Sequence, residues 1–175
     1  MINMIHVYTG DGKGKTTAAV GLGIRAFGRG FRVLIVQFLK GADTGEIETI
    51  SRLGERFVVR RTEEIKKFTW QMTPGELQQA KEKQQELFDF ARSEAAQGNW
   101  DLIILDEIMA AINTGMIATE SVEDFVRSKP EKLELVLTGR NAPEALINLA
   151  DYVSDIRAVK HPMERGVPSR PGIEF

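Results

Sequence analysis

The amino-acid sequence predicts an α/β protein in which helices cover both faces of a mainly parallel, six-stranded sheet. Strand-like and helical stretches alternate along the chain, which is typical of a parallel sheet. Residues 33–36 and 102–105 are continuous apolar runs, as expected of strands that are buried on both faces. A glycine-rich turn that ends in Lys-Thr separates the first strand from the first helix. This layout narrows the prediction to a P-loop NTPase-like fold of three layers.

The elements can be assigned in order from their apolar patterns and the signals at their ends. The predicted strands occupy residues 3–8, 31–38, 56–60, 101–105, 133–138 and 152–158. The predicted helices occupy residues 16–29, 45–53, 74–97, 107–115, 121–128 and 142–150. Ser121 and Asn141 are predicted N-caps of the last two helices, because their side chains can accept a bond from a free backbone N–H group.

The longest helix has the clearest boundaries. Thr73, Pro74 and Glu76 supply a capping residue, a first-turn proline and a capping-box glutamate, and Gly98 ends the helix. One face of this helix is predicted to be buried because its small, apolar and amide residues recur at helical spacing. These residues are Leu77, Ala80, Gln84, Leu87, Phe88, Ala91 and Ala95.

Length predicts one domain over residues 1–175, and the composition agrees with the expected cytoplasmic location. The chain has 42% hydrophobic residues, a net charge of −2 and no cysteine. The near-neutral charge gives no indication of nucleic-acid binding, and no apolar run is long enough to predict a membrane span. The lack of cysteine excludes disulfides, thiolate zinc sites and a cysteine nucleophile. Residues 160–175, with three prolines and two glycines, are predicted to form a frayed tail or a lid.

Eight residues after the first strand predict a phosphate-binding loop. Successive N–H groups of such a turn point at one anion, and the following helix N-terminus adds partial positive charge. Lys15 is expected to reach the outer phosphates, and the Thr16 hydroxyl to bind Mg²⁺. The usual motif has glycine where this chain has Thr9, so a glycine-rich turn that binds nothing is the competing interpretation. The predicted nucleotide-binding residues here are Thr9, Gly10, Asp11, Gly12, Lys13, Gly14, Lys15, Thr16 and Thr17.

A second nucleotide-binding signal is the acidic pair Asp106-Glu107 at the end of a buried strand. Asp106 is predicted to hold Mg²⁺ directly or through water and to converge with Thr16. Glu107 has two interpretations, as a residue that polarises an attacking water or as a ligand or neighbour of Mg²⁺. Arg140 is either a clamp on the phosphates or a charge that flanks a helix.

The loop before the longest helix carries two aromatic residues, Phe68 and Trp70, in a basic segment. Residue chemistry alone favours a loop that is held in the core by its aromatics. The alternative is a binding surface for a flat apolar ligand. The two histidines, His6 and His161, have no partner set typical of zinc binding or nucleophilic catalysis.

Taken together, separated motifs across the chain resemble the P-loop type of ATP:corrinoid adenosyltransferase. The motifs are Thr9-Gly-Asp-Gly-Lys-Gly-Lys-Thr-Thr17, Val36-Gln-Phe-Leu-Lys-Gly41, Phe68-Thr-Trp70, Leu105-Asp-Glu107, Leu137-Thr-Gly-Arg140, Val159-Lys-His161 and Gly172-Ile-Glu-Phe175. A loop without its first glycine is a trait of that family. The resemblance implies that cobalt(I) of a reduced corrinoid attacks the 5′ carbon of ATP, with inorganic triphosphate as the leaving group, in adenosylcobalamin synthesis or salvage.

The resemblance also implies site roles and partners. Lys15 is a catalytic residue that stabilises the leaving group, with Mg²⁺ held by Thr16, Asp106 and Glu107. Phe68 and Trp70 are further catalytic residues, which bind the corrinoid and displace the lower axial ligand of cobalt(II), so that a donor such as reduced flavodoxin can reduce it. A homodimer is expected. Two other hypotheses stay open, a P-loop ATPase that hydrolyses the γ-phosphate and a module that binds ATP or a corrinoid without turnover.

Overall fold

A computed structural model describes residues 3–40, 44–62 and 71–174, and six strands within them form one sheet. The strands are β1 (Ile5–Thr9), β2 (Val33–Gln37), β3 (Phe57–Arg61), β4 (Leu102–Asp106), β5 (Glu134–Thr138) and β6 (Tyr152–Asp155). Their order across the sheet is β3-β2-β4-β5-β1-β6, and each neighbouring pair is parallel. The predicted α/β class and six-stranded sheet are confirmed.

Helices cover both faces of this sheet, so the predicted three layers are confirmed too. They are α1 (Lys15–Gly28), α2 (Gly45–Ser51), α3 (Pro74–Gln97), α4 (Ile108–Asn113), α5 (Thr119–Ser128) and α6 (Glu144–Leu149). On one face, Ala19 of α1 and Ile50 of α2 belong to a buried cluster with Ile104 of β4. On the other, Phe88 of α3 and Phe125 of α5 belong to a second cluster. Strands β2, β4 and β5 contribute to both clusters, which explains their uninterrupted apolar sequences.

Helix α3 has the predicted boundaries. The Thr73 hydroxyl accepts a bond from the Glu76 N–H, and the Glu76 carboxylate accepts one from the Thr73 N–H, which completes the capping box. Gly98 ends the helix in a left-handed conformation with φ 69°. Of the predicted buried face, Ala80, Gln84, Leu87, Phe88, Ala91 and Ala95 are buried. Leu77, in the first turn, is 40% exposed.

The predicted N-caps Ser121 and Asn141 are wrong. Helix α5 has Ala118 as its N-cap and already includes Ser121 in its first turn, because the buried stretch just before it sets where the chain enters the helix. Asn141 instead adopts a left-handed turn with φ 53°. Helix α6 has Pro143 as its N-cap, since a proline disfavours the α conformation in the residue before it.

Other element ends differ by a few residues. The strand predicted at 152–158 ends at Asp155, and the helix predicted at 107–115 begins at Ile108 because Glu107 is left-handed, with φ 60°. The stretch predicted to be irregular, 160–175, contains a short 3₁₀ helix at Pro162–Arg165. Among the described helices, none has the length and apolar character to cross a membrane.

Candidate functional site

The glycine-rich turn lies at the carboxyl-terminal edge of the sheet, between β1 and α1. Strand β1 lies between β5 and β6. Helix α1 packs on one face of the sheet, and α6, which follows β5, packs on the other. After β1 and after β5 the chain therefore turns to opposite faces of the sheet, which opens a crevice between the ends of these two strands. Such a crevice is the usual ligand site in an open α/β sheet.

Lys15 is the first residue of α1, and its side chain folds back over the turn. Its ammonium group donates hydrogen bonds to the carbonyl oxygens of Gly10 and Gly12, at 2.7 and 2.8 Å. Burial lowers the pKa of Lys15, and the neighbouring carboxylate of Glu107 opposes that shift. The turn thus holds a largely desolvated cation whose two carbonyl partners can be exchanged for phosphate oxygens.

The first two glycines of the turn are required by the close approach of the chain that follows β6. A Cβ atom on Gly10, whose φ is 99°, would lie 2.4 Å from the carbonyl oxygen of Ile156. A Cβ atom on Gly12 would lie 2.7 Å from the same oxygen, to which the Gly12 N–H donates a bond of 2.7 Å. Thr9 is a strand residue without positive φ, and its hydroxyl accepts a bond from the Ala142 N–H. A side chain is therefore tolerated where the common motif has glycine.

Asp106, at the end of β4, is the centre of a buried polar network. It is 1% exposed. Its Oδ1 accepts bonds from the hydroxyls of Thr16 and Thr138, at 2.9 and 2.8 Å. Its Oδ2 accepts bonds from Lys40, at 2.7 Å, and from the side-chain amide of Gln37, at 3.3 Å. The predicted convergence of Asp106 with Thr16 is present, and three further side chains complete it.

Glu107 lies beside this network in a left-handed conformation. Its N–H donates a 2.9 Å bond to the Thr138 hydroxyl, so Thr138 links the two acidic residues. Burial raises the pKa of Glu107, and the Asp106 carboxylate raises it further, while Lys40 and Lys15 lower it. The side chain lines the same cavity as the glycine-rich turn.

That cavity has a volume of about 790 Å³. Four cationic side chains line it, Lys13, Lys15, Lys40 and Arg140, together with the carboxylates of Asp11, Glu46, Glu107 and Glu174. The predicted residues Asp11, Gly12, Lys13, Gly14, Lys15, Thr16, Thr17, Glu107 and Arg140 all line it. Such a concentration of cations around backbone N–H groups suits a polyanion such as a triphosphate.

The end of the chain closes part of this cavity. Met163, Ile173 and Glu174 contribute to the lining, and the Glu174 carboxylate lies 3.9 Å from the Lys13 ammonium. An ion pair with Arg170 holds the pKa of Glu174 at about 2. The segment predicted as a tail or lid therefore lies against the glycine-rich turn.

The donor set around Asp106 fits a magnesium ion. Carboxylate and hydroxyl oxygens are ligands that Mg²⁺ accepts, with phosphate oxygens and water completing the shell. The Lys40 ammonium contacts both Asp106 Oδ2 and Thr16 Oγ1, the latter at 3.2 Å, so a cation already lies against these oxygens. No cluster of three or more acidic or histidine residues suited to a metal occurs in the described part of the chain.

Sequence reasoning missed Lys40, Gln37 and Thr138. Gln37 and Thr138 are the last residues of β2 and β5, and Lys40 follows the end of β2 by three residues. All three occur in the motifs quoted above without an assigned role. Their position at strand ends was a usable signal, because the carboxyl ends of β2, β4 and β5 are adjacent. Phe68 and Trp70 lie outside the described residues, so the structure does not place the predicted corrinoid-binding side chains.

Comparison with known proteins gives one consistent result. A model of the family "ATP:corrinoid adenosyltransferase BtuR/CobO/CobP" matches residues 2–175. A corrinoid adenosyltransferase of Escherichia coli K12 is 35% identical over 173 residues, which cover 98% of this chain and 85% of that protein. The corrinoid adenosyltransferase CobA of Salmonella typhimurium LT2 is 34% identical over the same proportions. A corrinoid adenosyltransferase of Pseudomonas aeruginosa is 33% identical over 98% of this chain and 83% of its own.

Proposed function

This chain belongs to the ATP:corrinoid adenosyltransferase family, and we propose how its residues carry out the family's reaction. The enzyme transfers the 5′-deoxyadenosyl group of ATP to the cobalt(I) of a reduced corrinoid. Cobalt supplies the electron pair of the new cobalt–carbon bond, and the bond between the 5′ carbon and oxygen breaks. Triphosphate leaves with the electrons of that bond, so the step needs no general base.

The observation that supports our assignment of roles is that Lys15 and Thr16 line the cavity beside Lys13, Lys40 and Arg140, while the Thr16 hydroxyl is bonded to the buried Asp106 carboxylate. The leaving triphosphate gains charge in the transition state, and fixed cations and N–H groups aimed at that charge lower the barrier. We assign Lys15 as the catalytic residue that stabilises it. The turn residues from Thr9 to Thr17 and Arg140 complete the nucleotide site.

We also propose that Mg²⁺ is held by Thr16 and Asp106, with Glu107 as a further ligand or neighbour. When bound, the ion neutralises part of the triphosphate charge. Bonds from Thr138 and Gln37 help to fix the orientation of the Asp106 carboxylate, as a metal-binding carboxylate requires.

The proposal for the corrinoid rests on the motif Phe68-Thr69-Trp70. Both aromatics would fill the lower face of the corrin and remove the lower ligand of cobalt(II), which makes cobalt easier to reduce because axial ligation sets the redox potential. Phe68→Ala and Trp70→Ala should impair the reaction from cobalt(II) far more than the reaction from chemically prereduced cobalt(I). Equal losses in the two assays would contradict this role.

Four further features are proposals that the family suggests. The segment 160–175 closes the nucleotide cavity, which the contact between Glu174 and Lys13 supports. The enzyme works as a homodimer, receives electrons from a donor such as reduced flavodoxin, and acts in the cytoplasm. The absence of cysteine agrees with a reducing compartment.

The test separates attack at the 5′ carbon from hydrolysis at the γ-phosphate. The protein is incubated anaerobically with Mg²⁺, prereduced cobalamin and either ATP or its β,γ-imido analogue. Because neither phosphate–phosphate link breaks in adenosyl transfer, both nucleotides should convert the corrinoid spectrum, and ATP should yield inorganic triphosphate. The result would instead establish an ATPase if ATP released ADP and phosphate in the absence of corrinoid and the imido analogue did not react.

Matched variants link this activity to the site. Lys15→Met should lower kcat by roughly a hundredfold or more, since it removes a donor to the developing charge. Lys83→Met removes an exposed lysine on α3 and should leave kcat unchanged. The hydrolytic alternative finds no support among the three relatives compared above, all of which are named corrinoid adenosyltransferases.

A further inference from the structure

Lys40 lies against the oxygens to which we assign the metal ion. Its ammonium nitrogen is 2.7 Å from Asp106 Oδ2 and 3.2 Å from Thr16 Oγ1. Its side chain is 25% exposed, whereas that of Asp106 is 1% exposed. The other carboxylate oxygen is already bonded to the Thr16 and Thr138 hydroxyls. The lysine is therefore the direct ion-pair partner of this buried carboxylate.

A magnesium ion and this ammonium group need the same oxygens. Mg²⁺ binds its oxygen ligands at about 2.0–2.1 Å and tolerates little distortion of its octahedral shell. An ammonium group at hydrogen-bond distance from the same carboxylate and hydroxyl leaves no room for that shell and repels the ion. Metal binding through Asp106 and Thr16 therefore requires Lys40 to move.

The backbone before Lys40 is held in a way that aims the side chain at Asp106. The Phe38 N–H donates a 2.9 Å bond to the Asp106 carbonyl oxygen. Leu39 has a φ of 51°, a left-handed conformation that a leucine rarely adopts. Its N–H donates a 3.0 Å bond to the side-chain oxygen of Gln84, which is fully buried in α3. Strained residues of this kind persist where the surroundings fix them, and they concentrate at functional sites.

We propose that Lys40 is a built-in counter-cation that competes with Mg²⁺ for Asp106 and Thr16 and, once displaced, binds the phosphates of ATP. Lys40 lines the same cavity as the glycine-rich turn, and its four-carbon stem allows the ammonium to change partners without backbone movement. Without nucleotide, the enzyme then binds the metal weakly. Together with ATP, the metal binds well because the displaced Lys40 ammonium gains the phosphates as a new anionic partner. The inference rests on the proposed metal-binding role of Asp106 and Thr16, and it does not depend on adenosyl transfer.

An ordinary structural ion pair predicts something different. If Lys40 only holds Asp106 in place, its removal weakens metal binding and phosphate binding together. If Lys40 competes with the metal, its removal strengthens the binding of the metal alone and weakens the binding of the phosphate chain. The two effects then have opposite signs.

The first experiment measures both effects without ATP turnover. Mn²⁺ binding to the nucleotide-free protein is titrated by electron paramagnetic resonance, and tripolyphosphate binding at saturating Mg²⁺ by calorimetry. Lys40→Met should bind Mn²⁺ at least roughly tenfold more tightly than wild type and tripolyphosphate roughly tenfold more weakly. Lys83→Met, which removes an exposed lysine of the same charge on α3, should match wild type in both titrations.

Unchanged or weaker Mn²⁺ binding by Lys40→Met would overturn the proposal, as would unchanged tripolyphosphate binding. Asp106→Asn separates this failure from failure of the metal site itself. If Asp106→Asn weakens Mn²⁺ binding but Lys40→Met does not strengthen it, the metal site stands and the competition is refuted. The adenosyl transfer assay tests the proposed function independently of the Mn²⁺ and tripolyphosphate titrations.

A measurement on wild-type protein avoids dependence on the folding of any variant. Lysines are acetylated with and without Mg²⁺ in the absence of nucleotide, and the modified peptides are quantified by mass spectrometry. Displacement by the metal should raise the labelling of Lys40 several-fold relative to Lys83. Equal or lower labelling of Lys40 with Mg²⁺ would overturn the competition.

Discussion

Thr138→Val tests whether one buried hydroxyl holds the acidic pair together. Thr138 is fully buried at the end of β5. Its hydroxyl donates to Asp106 Oδ1 at 2.8 Å and accepts from the Glu107 N–H at 2.9 Å. Valine has almost the same shape and β propensity, so the substitution removes two hydrogen bonds and leaves the packing nearly unchanged.

The expected loss of stability follows from the two bonds. A hydrogen bond to a charged group contributes about 1.5–3 kcal/mol, and a neutral one about 0.5–1.5 kcal/mol. The added methyl group returns about 0.8 kcal/mol through apolar burial. We therefore expect the free energy of unfolding to fall by about 2–3 kcal/mol. The left-handed turn at Glu107 loses one of its supports, so the metal affinity should fall as well.

Urea unfolding of the metal-free protein, followed by circular dichroism, measures the change directly. Thr138→Ser is the matched control, because it keeps the hydroxyl and loses only the methyl group. The serine variant should lose about 1 kcal/mol and keep its affinity for Mg²⁺ and ATP. If Thr138→Val unfolds within about 0.5 kcal/mol of wild type, the hydroxyl does not hold Asp106 and Glu107 as the contacts imply.

Two other substitutions and one pH dependence follow from the same region. Gly12→Ala should abolish ATP binding and lower the free energy of unfolding, because its Cβ would meet the backbone of Arg157 at 2.7 Å; urea unfolding and calorimetry with ATP measure both losses. Gly21→Ala, in the exposed interior of α1 with no atom nearby, should instead stabilise the protein by about 0.5–1 kcal/mol. Arg170 lowers the pKa of Glu174 from 4.5 to about 2. The contact of the Glu174 carboxylate with Lys13 should therefore be complete above pH 4.5 and lost as the pH falls through about 2. Cleavage of the tail by pepsin should rise over that range, and a pH-independent rate would contradict it.

The convergence of the P-loop with Asp106 was predictable because it depends on topology alone. In a parallel sheet, all carboxyl ends lie at one edge, so an acid at the end of β4 lies at the same edge as the turn that follows β1, with only β5 between the two strands. The capping box of α3 was predictable for a similar reason, since its signal is local. The error at Asn141 shows the limit of local signals, because Pro143 two residues later sets where α6 can begin.

The cation beside Asp106 was not predictable from the same patterns. Lys40 reaches the carboxylate because Leu39 turns left-handed, and leucine carries no preference for that conformation. The left-handed turn at Leu39 is imposed by the bond from its N–H group to the side chain of Gln84, a residue distant in the sequence. The burial of Gln84 was predicted, but its bond to Leu39 was not. Side-chain direction after a strand end depends on such tertiary contacts, and helical or strand periodicity does not report them.

Three of the four lysine and arginine side chains that line this cavity have partners within the protein. Lys15 is bonded to two turn carbonyls, Lys40 to Asp106, and Lys13 lies near Glu174. Binding therefore exchanges partners, and a ligand that replaces only some of these contacts leaves a desolvated group without its counter-charge. With the proposed metal on Asp106, a triphosphate would replace these contacts, because the metal would take the oxygens of Asp106 and the phosphates would take the ammonium groups. If Asp106 and Thr16 hold the metal as proposed, we expect a shorter phosphate chain to replace fewer of these contacts, and ADP to bind more weakly than ATP.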